Sequence, residues 1–456
     1  MLFAACPPRR AERRAMAATS RMRAKGTMRE IDLQEYATSD ALTLSVNERD
    51  ALAREALNLS IAPVAGTTSE YTLTPGSIVG AVETGGLSVR IAPKIGIRQL
   101  LSLACYAIDK VRLQEPEFDF PEQAALPDAL ALAFGAAARR ALSRGLLYGY
   151  RTEEDALLAV RGRIRFDEQI RRRFGIPLPV EVRYDEFTDD IFLNRLVKAA
   201  AHRLGRLGLR SRKARSGIAW VAESLSDVSL VAFPRGAVPD VRFDRLNEHY
   251  RSVATLAQLI LRHGAFEAAR GKVRASGFLM DMNQIFQEFV TVALREALGV
   301  SEQVFGERGI GSLDMQNRVT LKPDLVWGDG SRCTFVGDVK YKRADGGVPN
   351  ADLYQLLAYA TALDLPGGLL IYAKGERAPM THTVRHSGKR LEVATLDLSG
   401  TLEETLDRIG DLAQRIRRLQ RSAIRRVSVP GASSDNVSQS TQAIQPMDVK
   451  PTAIAA

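Results

Sequence analysis

Apolar and polar positions alternate in part through two short stretches, SIVGAVET (77–84) and LSVRIAPKI (87–95), which flank Gly85-Gly86. That pattern predicts a β-hairpin closed by a two-residue turn. From about Leu100 to Met280 apolar residues recur at three- and four-residue steps instead. LLSLACYAIDKV, ALALAFGAAARRALSRGLL, DDIFLNRLVKAAAHRLGRLG and ATLAQLILRHG are the main examples. This spacing predicts a mainly helical stretch, with Pro- and Gly-containing breaks near 174–179 and 234–239. A second α/β block is expected from about 277 to 400. It comprises a helix, DMNQIFQEFVTVALREAL, and two strands, VTLKPDLVW and CTFVGDVKYK, joined across Gly328-Asp329-Gly330. A helix, NADLYQLLAYATAL, and an apolar strand, GGLLIYA, complete it. No repeat occurs at solenoid periods.

The element order predicts a multidomain α/β protein of 456 residues, too long for a single core. A β-rich N-terminal domain is expected over 28–140, a mainly helical linker domain over 141–276 and an α/β domain over 277–400. A basic helix over 401–426 and a polar, disordered tail over 427–456 follow. Residues 1–27 hold seven basic residues against Glu12 and show no periodicity. They read as a disordered extension or a start assigned too early, since Met16, Met22 and Met28 follow. A transit peptide or a basic DNA-binding arm has the same composition.

Composition narrows the function class. A hydrophobic fraction of 45% with 25% charged residues is that of a soluble globular protein. No apolar run approaches the roughly 20 residues that span a bilayer. Cys6, Cys105 and Cys333 are too few and too dispersed for a disulfide framework or a four-cysteine metal site, and point to a reducing, cytoplasmic setting. The net charge of +10 is concentrated in the first 27 residues, so it permits a nucleic-acid partner without demanding one.

The candidate chemistry sits in LKPDLVWGDGSRCTFVGDVKYKR (321–343). Asp338 and Lys340 are two apart on a strand and so leave the same face. Hairpin pairing can bring Asp324, on the preceding strand, beside them. Two converging carboxylates repel unless a cation lies between them, and oxygen ligands with open positions suit Mg²⁺. Such an ion polarises a scissile phosphate, and an adjacent lysine offsets developing charge. Glu288 flanks the apolar stripe of the preceding helix. Gln355 and Tyr359 share one face of the following helix. Taken singly, each of these is as well explained by a solvated helix position, and Asp-x-Lys by a surface ion pair. RGRIRFDEQIRRRF (161–174) could track phosphates or form a solvated basic face. His382 and His386, between Pro379 and Gly388, lack the helix that would aim both imidazoles one way.

The ordered set of helix with Glu288, Pro323-Asp324, Asp338-x-Lys340 and Gln355-x-x-x-Tyr359 resembles the PD-(D/E)xK nuclease core. Over roughly 28–400 the chain resembles the McrC family, the nuclease subunits of McrBC modification-dependent restriction systems. REIDLQEY, SIVGAVETGGLSVRIAPKIG, RGRIRF, YDEFTDDIFLNRLVKAA and FLMDMNQIFQEFV carry this beyond the catalytic core. The resemblance implies a Mg²⁺-dependent endonuclease, with Mn²⁺ able to substitute, that cuts double-stranded DNA bearing modified cytosine. Asp324, Asp338 and Glu288 would bind metal and Lys340 would be the catalytic lysine. The implied partner is an McrB-like AAA+ GTPase hexamer, stimulated when the β-rich N-terminal region docks into it. Nucleotide then belongs to the partner, which suits a chain without a G-x-x-x-x-G-K-[ST] string. Arg90 and Lys94 are candidates to reach the partner's nucleotide sites, or an exposed strand-end charge pair. A stand-alone RecB-like exonuclease has little use for so long a stretch before its site. A non-catalytic activator of an NTPase has no need of intact Asp324 and Asp338.

Overall fold

A computed structural model describes residues 28–427 apart from 55–56, 175, 235–236, 264–265, 271–272, 329–331, 342–347 and 374–379. The basic extension 1–27, the Asp329-Gly330 turn and the polar tail beyond 427 lie outside the described residues.

The N-terminal part contains β1 (Arg29–Gln34), β2 (Leu42–Thr43), α1 (Val46–Arg54), β3 (Leu59–Pro63), β4 (Glu70–Pro75), β5 (Ile78–Thr84) and β6 (Leu87–Ala92). Then come α2 (Ile97–Asp109), α3 (Leu126–Leu142), β7 (Gly149–Leu157), β8 (Arg163–Ile164), α4 (Phe166–Arg173) and β9 (Val180–Thr188). α5 (Phe192–Gly205), α6 (Arg212–Ser224), α7 (Arg251–His263), β10 (Phe266–Arg270) and β11 (Val273–Asp281) follow. The last part holds α8 (Met282–Leu298), β12 (Phe305–Gly306), β13 (Leu325–Gly328), β14 (Cys333–Lys340) and α9 (Asn350–Ala362). It closes with β15 (Gly367–Ala373), β16 (Met380–Thr383), β17 (Arg390–Leu396) and α10 (Leu402–Val427).

The expected hairpin is β5–β6. Gly85 and Gly86 take φ of 56° and 84°, which two consecutive left-handed turn positions require. The five-stranded sheet that contains it has the order β1-β6-β5-β11-β10. β11 comes from the far side of the helical region and pairs antiparallel with β5. The two backbones meet closely at Gly80, φ 134°, where a Cβ would stand 2.0 Å from the Phe278 carbonyl oxygen. β11 therefore crosses the 276/277 boundary expected from the sequence and belongs to the N-terminal sheet.

The helical expectation for 141–276 holds for α5, α6 and α7 and fails for β10, for the start of β11 and for 149–188. Residues 149–188 form a three-stranded sheet, β7-β9-β8, with α4 beside it. Its strands show mostly intermediate and exposed positions, so they lack the buried face that makes a strand legible. More than half of the exposed large apolar side chains among the described residues lie between 148 and 192. Tyr150 is 78% and Phe174 91% exposed.

The sheet that matters for the site has the order β12-β13-β14-β15-β17-β16, with β14, β15 and β17 parallel. Alternation along β14 divides its side chains between two cores. Phe335, Val339 and Tyr341 face α8 and α10 within the large core that continues through α2, α3, α5 and α7 to the N-terminal sheet. Val336 faces the smaller core under α9, with Leu356, Tyr359, Leu370 and Tyr372. Asp338 and Lys340 share the parity of Val336 and hence the α9 side. His382 lies on β16 and His386 in the turn after it, at φ 64°.

Candidate active site

Asp324 stands at the bend before β13 rather than on a strand, because the ladder to β14 begins at Leu325, opposite Gly337. Its Oδ2 accepts a hydrogen bond from the Val339 N–H at 2.8 Å. That bond turns the carboxyl back toward β14 and Asp338. Asp338 is 1% exposed, and its Oδ2 forms an ion pair with Lys340 Nζ while receiving no hydrogen bond of good geometry.

Electrostatics mark these two acids as a pair. Burial and then the charge of Asp338 push the Asp324 carboxyl up to about 7, despite the Val339 N–H and Lys340. Burial pulls the Lys340 ammonium down, but Asp338, Asp324 and Asp352 offset this and leave it raised. Two adjacent buried carboxyls with one ammonium between them carry an uncompensated negative charge once both ionise.

α9 supplies the roof. Gln355 Nε2 donates to the Tyr359 hydroxyl at 2.7 Å, which donates to the Lys322 carbonyl at 3.3 Å. This chain ties α9 to the segment carrying Pro323-Asp324. Burial raises the Tyr359 hydroxyl, as does the charge of Asp338. Gln355 and Tyr359 thus stand beside the pair.

Glu288 lies on α8, which packs against β14 beside Tyr341, and no described contact joins it directly to the pair. Gln284 Nε2 donates to it at 2.8 Å, and Arg262 and Glu307 are its charged neighbours. Burial raises its carboxyl. Among the described residues no three His, Cys, Asp or Glu side chains converge as a metal cluster.

One acid escaped the sequence reading. Asp352 on α9 is buried, accepts a hydrogen bond from the Tyr372 hydroxyl at 2.5 Å and contributes to the charge on Lys340. The signal was available: Asp352, Leu356, Tyr359 and Ala360 form one buried stripe, and an acid in such a stripe needs a partner.

The profile of the family described as McrBC 5-methylcytosine restriction system component matches residues 73–373. Among solved structures, a chain of the half-complex from the tetradecameric assembly of Thermococcus gammatolerans McrB AAA+ hexamers with bound McrC is similar. It shares 17% identity with a TM-score of 0.51, over 85% of this chain and 100% of that one. A chain of the Thermococcus gammatolerans McrBC complex shares 18% identity at a TM-score of 0.39, over 59% of this chain and 88% of that one. Identities this low speak to fold alone. No curated protein matches the chain.

Proposed function

Since the chain belongs to the McrBC 5-methylcytosine restriction family, we propose that it is the Mg²⁺-dependent DNA endonuclease subunit of such a system, built on a PD-(D/E)xK core. The observation that carries the reading is the buried pair Asp324 and Asp338 with Lys340 beside it, on a face closed by Tyr359. Two adjacent buried carboxyls that share a single ammonium as counter-charge, with the Asp324 carboxyl held near 7, are what a divalent cation would satisfy. The donor set fits Mg²⁺ or Mn²⁺, held by Asp324 and Asp338. The ion would polarise the scissile phosphate of modified double-stranded DNA.

The chain's own groups do the rest. Lys340, fixed by its ion pair with Asp338, orients the attacking water and stabilises charge growing on the phosphoryl oxygens. Tyr359, clamped on the Lys322 carbonyl, holds the Asp324 bend in register. The partner in this reading is an McrB-like AAA+ GTPase hexamer that carries the nucleotide. Docking was expected within 28–140. The exposed apolar surface on β7, β9 and α4 lies beyond that region, and we assign it as a further contact to the same ring.

Asp338→Ala should lower cleavage at least ~100-fold, about 2.7 kcal/mol of transition-state stabilisation. Lys340→Ala should still bind metal and stimulate the partner's GTP hydrolysis while failing to cut. Cleavage of modified DNA by the assembled complex, with and without EDTA, checks both. Wild-type cutting by either variant, or full activity in EDTA, would sink the assignment.

A further inference from the structure

Lys340 is the last residue in the β14–β15 register, opposite Tyr372. Past it the ladder ends, and the described contacts that hold the next residue come largely from the other end of the protein. The Tyr341 hydroxyl donates to Glu35 Oε2 at 3.2 Å, across 306 positions of sequence. The Tyr36 hydroxyl donates to the Tyr341 carbonyl at 3.4 Å. The rings of Tyr36 and Phe286 stand 6.5 and 5.7 Å from that of Tyr341. Glu35 follows directly on β1 and is 0% exposed, and its Oε2 also accepts the Lys94 N–H at 3.1 Å. Lys94 Nζ sits 4.7 Å from the Tyr36 ring centre. A fully buried carboxyl, one oxygen of which has no hydrogen-bond partner, is costly for stability. Its place beside the lysine strand calls for another reason.

We propose that Glu35 and Tyr341 are positioning residues that couple the N-terminal sheet to the nuclease site. By holding the Tyr341 hydroxyl, Glu35 fixes the Lys340 backbone, and so the place of its ammonium beside Asp338. A displacement of the β1 end or of the Lys94 segment then reaches the cutting site through one hydrogen bond. Tyr36, Lys94 and Tyr341 also border a cavity of about 1090 Å³, so the link is open to contact from outside. The inference rests on the nuclease reading and deepens it.

The test is single-turnover cleavage of modified DNA by the full-length chain assembled with its ring partner at saturating Mg²⁺. Tyr341→Phe and Glu35→Leu should each lower the rate constant about 10-fold through loss of alignment, with the cleavage amplitude unchanged. The double variant should fall no further than the weaker single, because both remove the same bond. Glu35→Gln keeps an acceptor oxygen and should cut at near the wild-type rate. A wild-type rate in Tyr341→Phe, a multiplicative loss in the double, or a reduced amplitude at an unchanged rate constant overturns the coupling. Tyr341→Phe deletes a single hydroxyl and decides the matter alone if Glu35→Leu does not fold. Asp338→Ala separates the two failures. If it cuts normally the nuclease reading is lost, and if it is inactive while Tyr341→Phe is unimpaired only the coupling is lost.

Discussion

Glu35 shows how one buried side chain sets a pH dependence. Burial, its first cause, pushes the carboxyl up to about 7 against the Lys94 N–H, the Tyr341 hydroxyl and the Lys94 charge, with Asp281 reinforcing it. The folded chain therefore keeps a proton that the unfolded chain has released above about 4.5. Stability tied to this group is full at low pH and is lost as pH rises toward 7, by up to roughly 3 kcal/mol. Asp324 titrates in the same direction, so the difference made by Glu35→Gln isolates Glu35. Urea midpoints at pH 5 and pH 8 should fall less in that variant than in the wild type. Equal falls would mean that Glu35 is ionised in the folded protein. No pattern in the sequence marks this residue, because REIDLQEY gives no sign of the tyrosine three hundred positions away. Asp338 and Lys340 were legible because parity along a strand is a local rule. The place of Glu288 relative to them was not, since which face a helix covers is decided by packing.

At the scale of elements, amphipathic patterning found α8, α9, β15 and the β5–β6 hairpin with near-correct bounds. It failed for β7, β8 and β9, whose positions are mostly intermediate or exposed, with Val182 the fully buried exception, and so show no continuous buried face to read. Tyr150 and Phe187, with ring centres 5.2 Å apart, and Tyr148, 5.4 Å from Phe187, form an exposed aromatic group on that ribbon. Exposed clustered aromatics are costly in water and characteristic of binding surfaces. The paired substitution Tyr150→Ala with Phe187→Ala should weaken assembly with the proposed AAA+ ring partner by at least about 30-fold, some 2 kcal/mol. The melting temperature should hold, because neither ring belongs to a core. Binding at wild-type strength, measured by titration of the ring, would move the docking surface elsewhere.

The molecule as a whole is less divisible than its sequence suggests. One apolar core runs from Ile31 in β1 to Ile416 in α10. Tyr106 of α2 donates to Glu296 of α8 at 2.6 Å, and β11 completes the sheet that begins with β1. Residues 277–427 expressed alone would start inside β11 and leave the α2-facing side of α8 bare. That fragment should show no cooperative thermal transition by circular dichroism, whereas the full chain does. A sharp transition in the fragment would restore the boundary at 277.

The late arrival of β11 also sets a clock on synthesis. β5 and β6 emerge from the ribosome early, yet the strand that covers the β5 edge lies roughly 200 residues further on. At about 5–20 residues per second, that edge waits some 10–40 s for its neighbour, open to any passing strand.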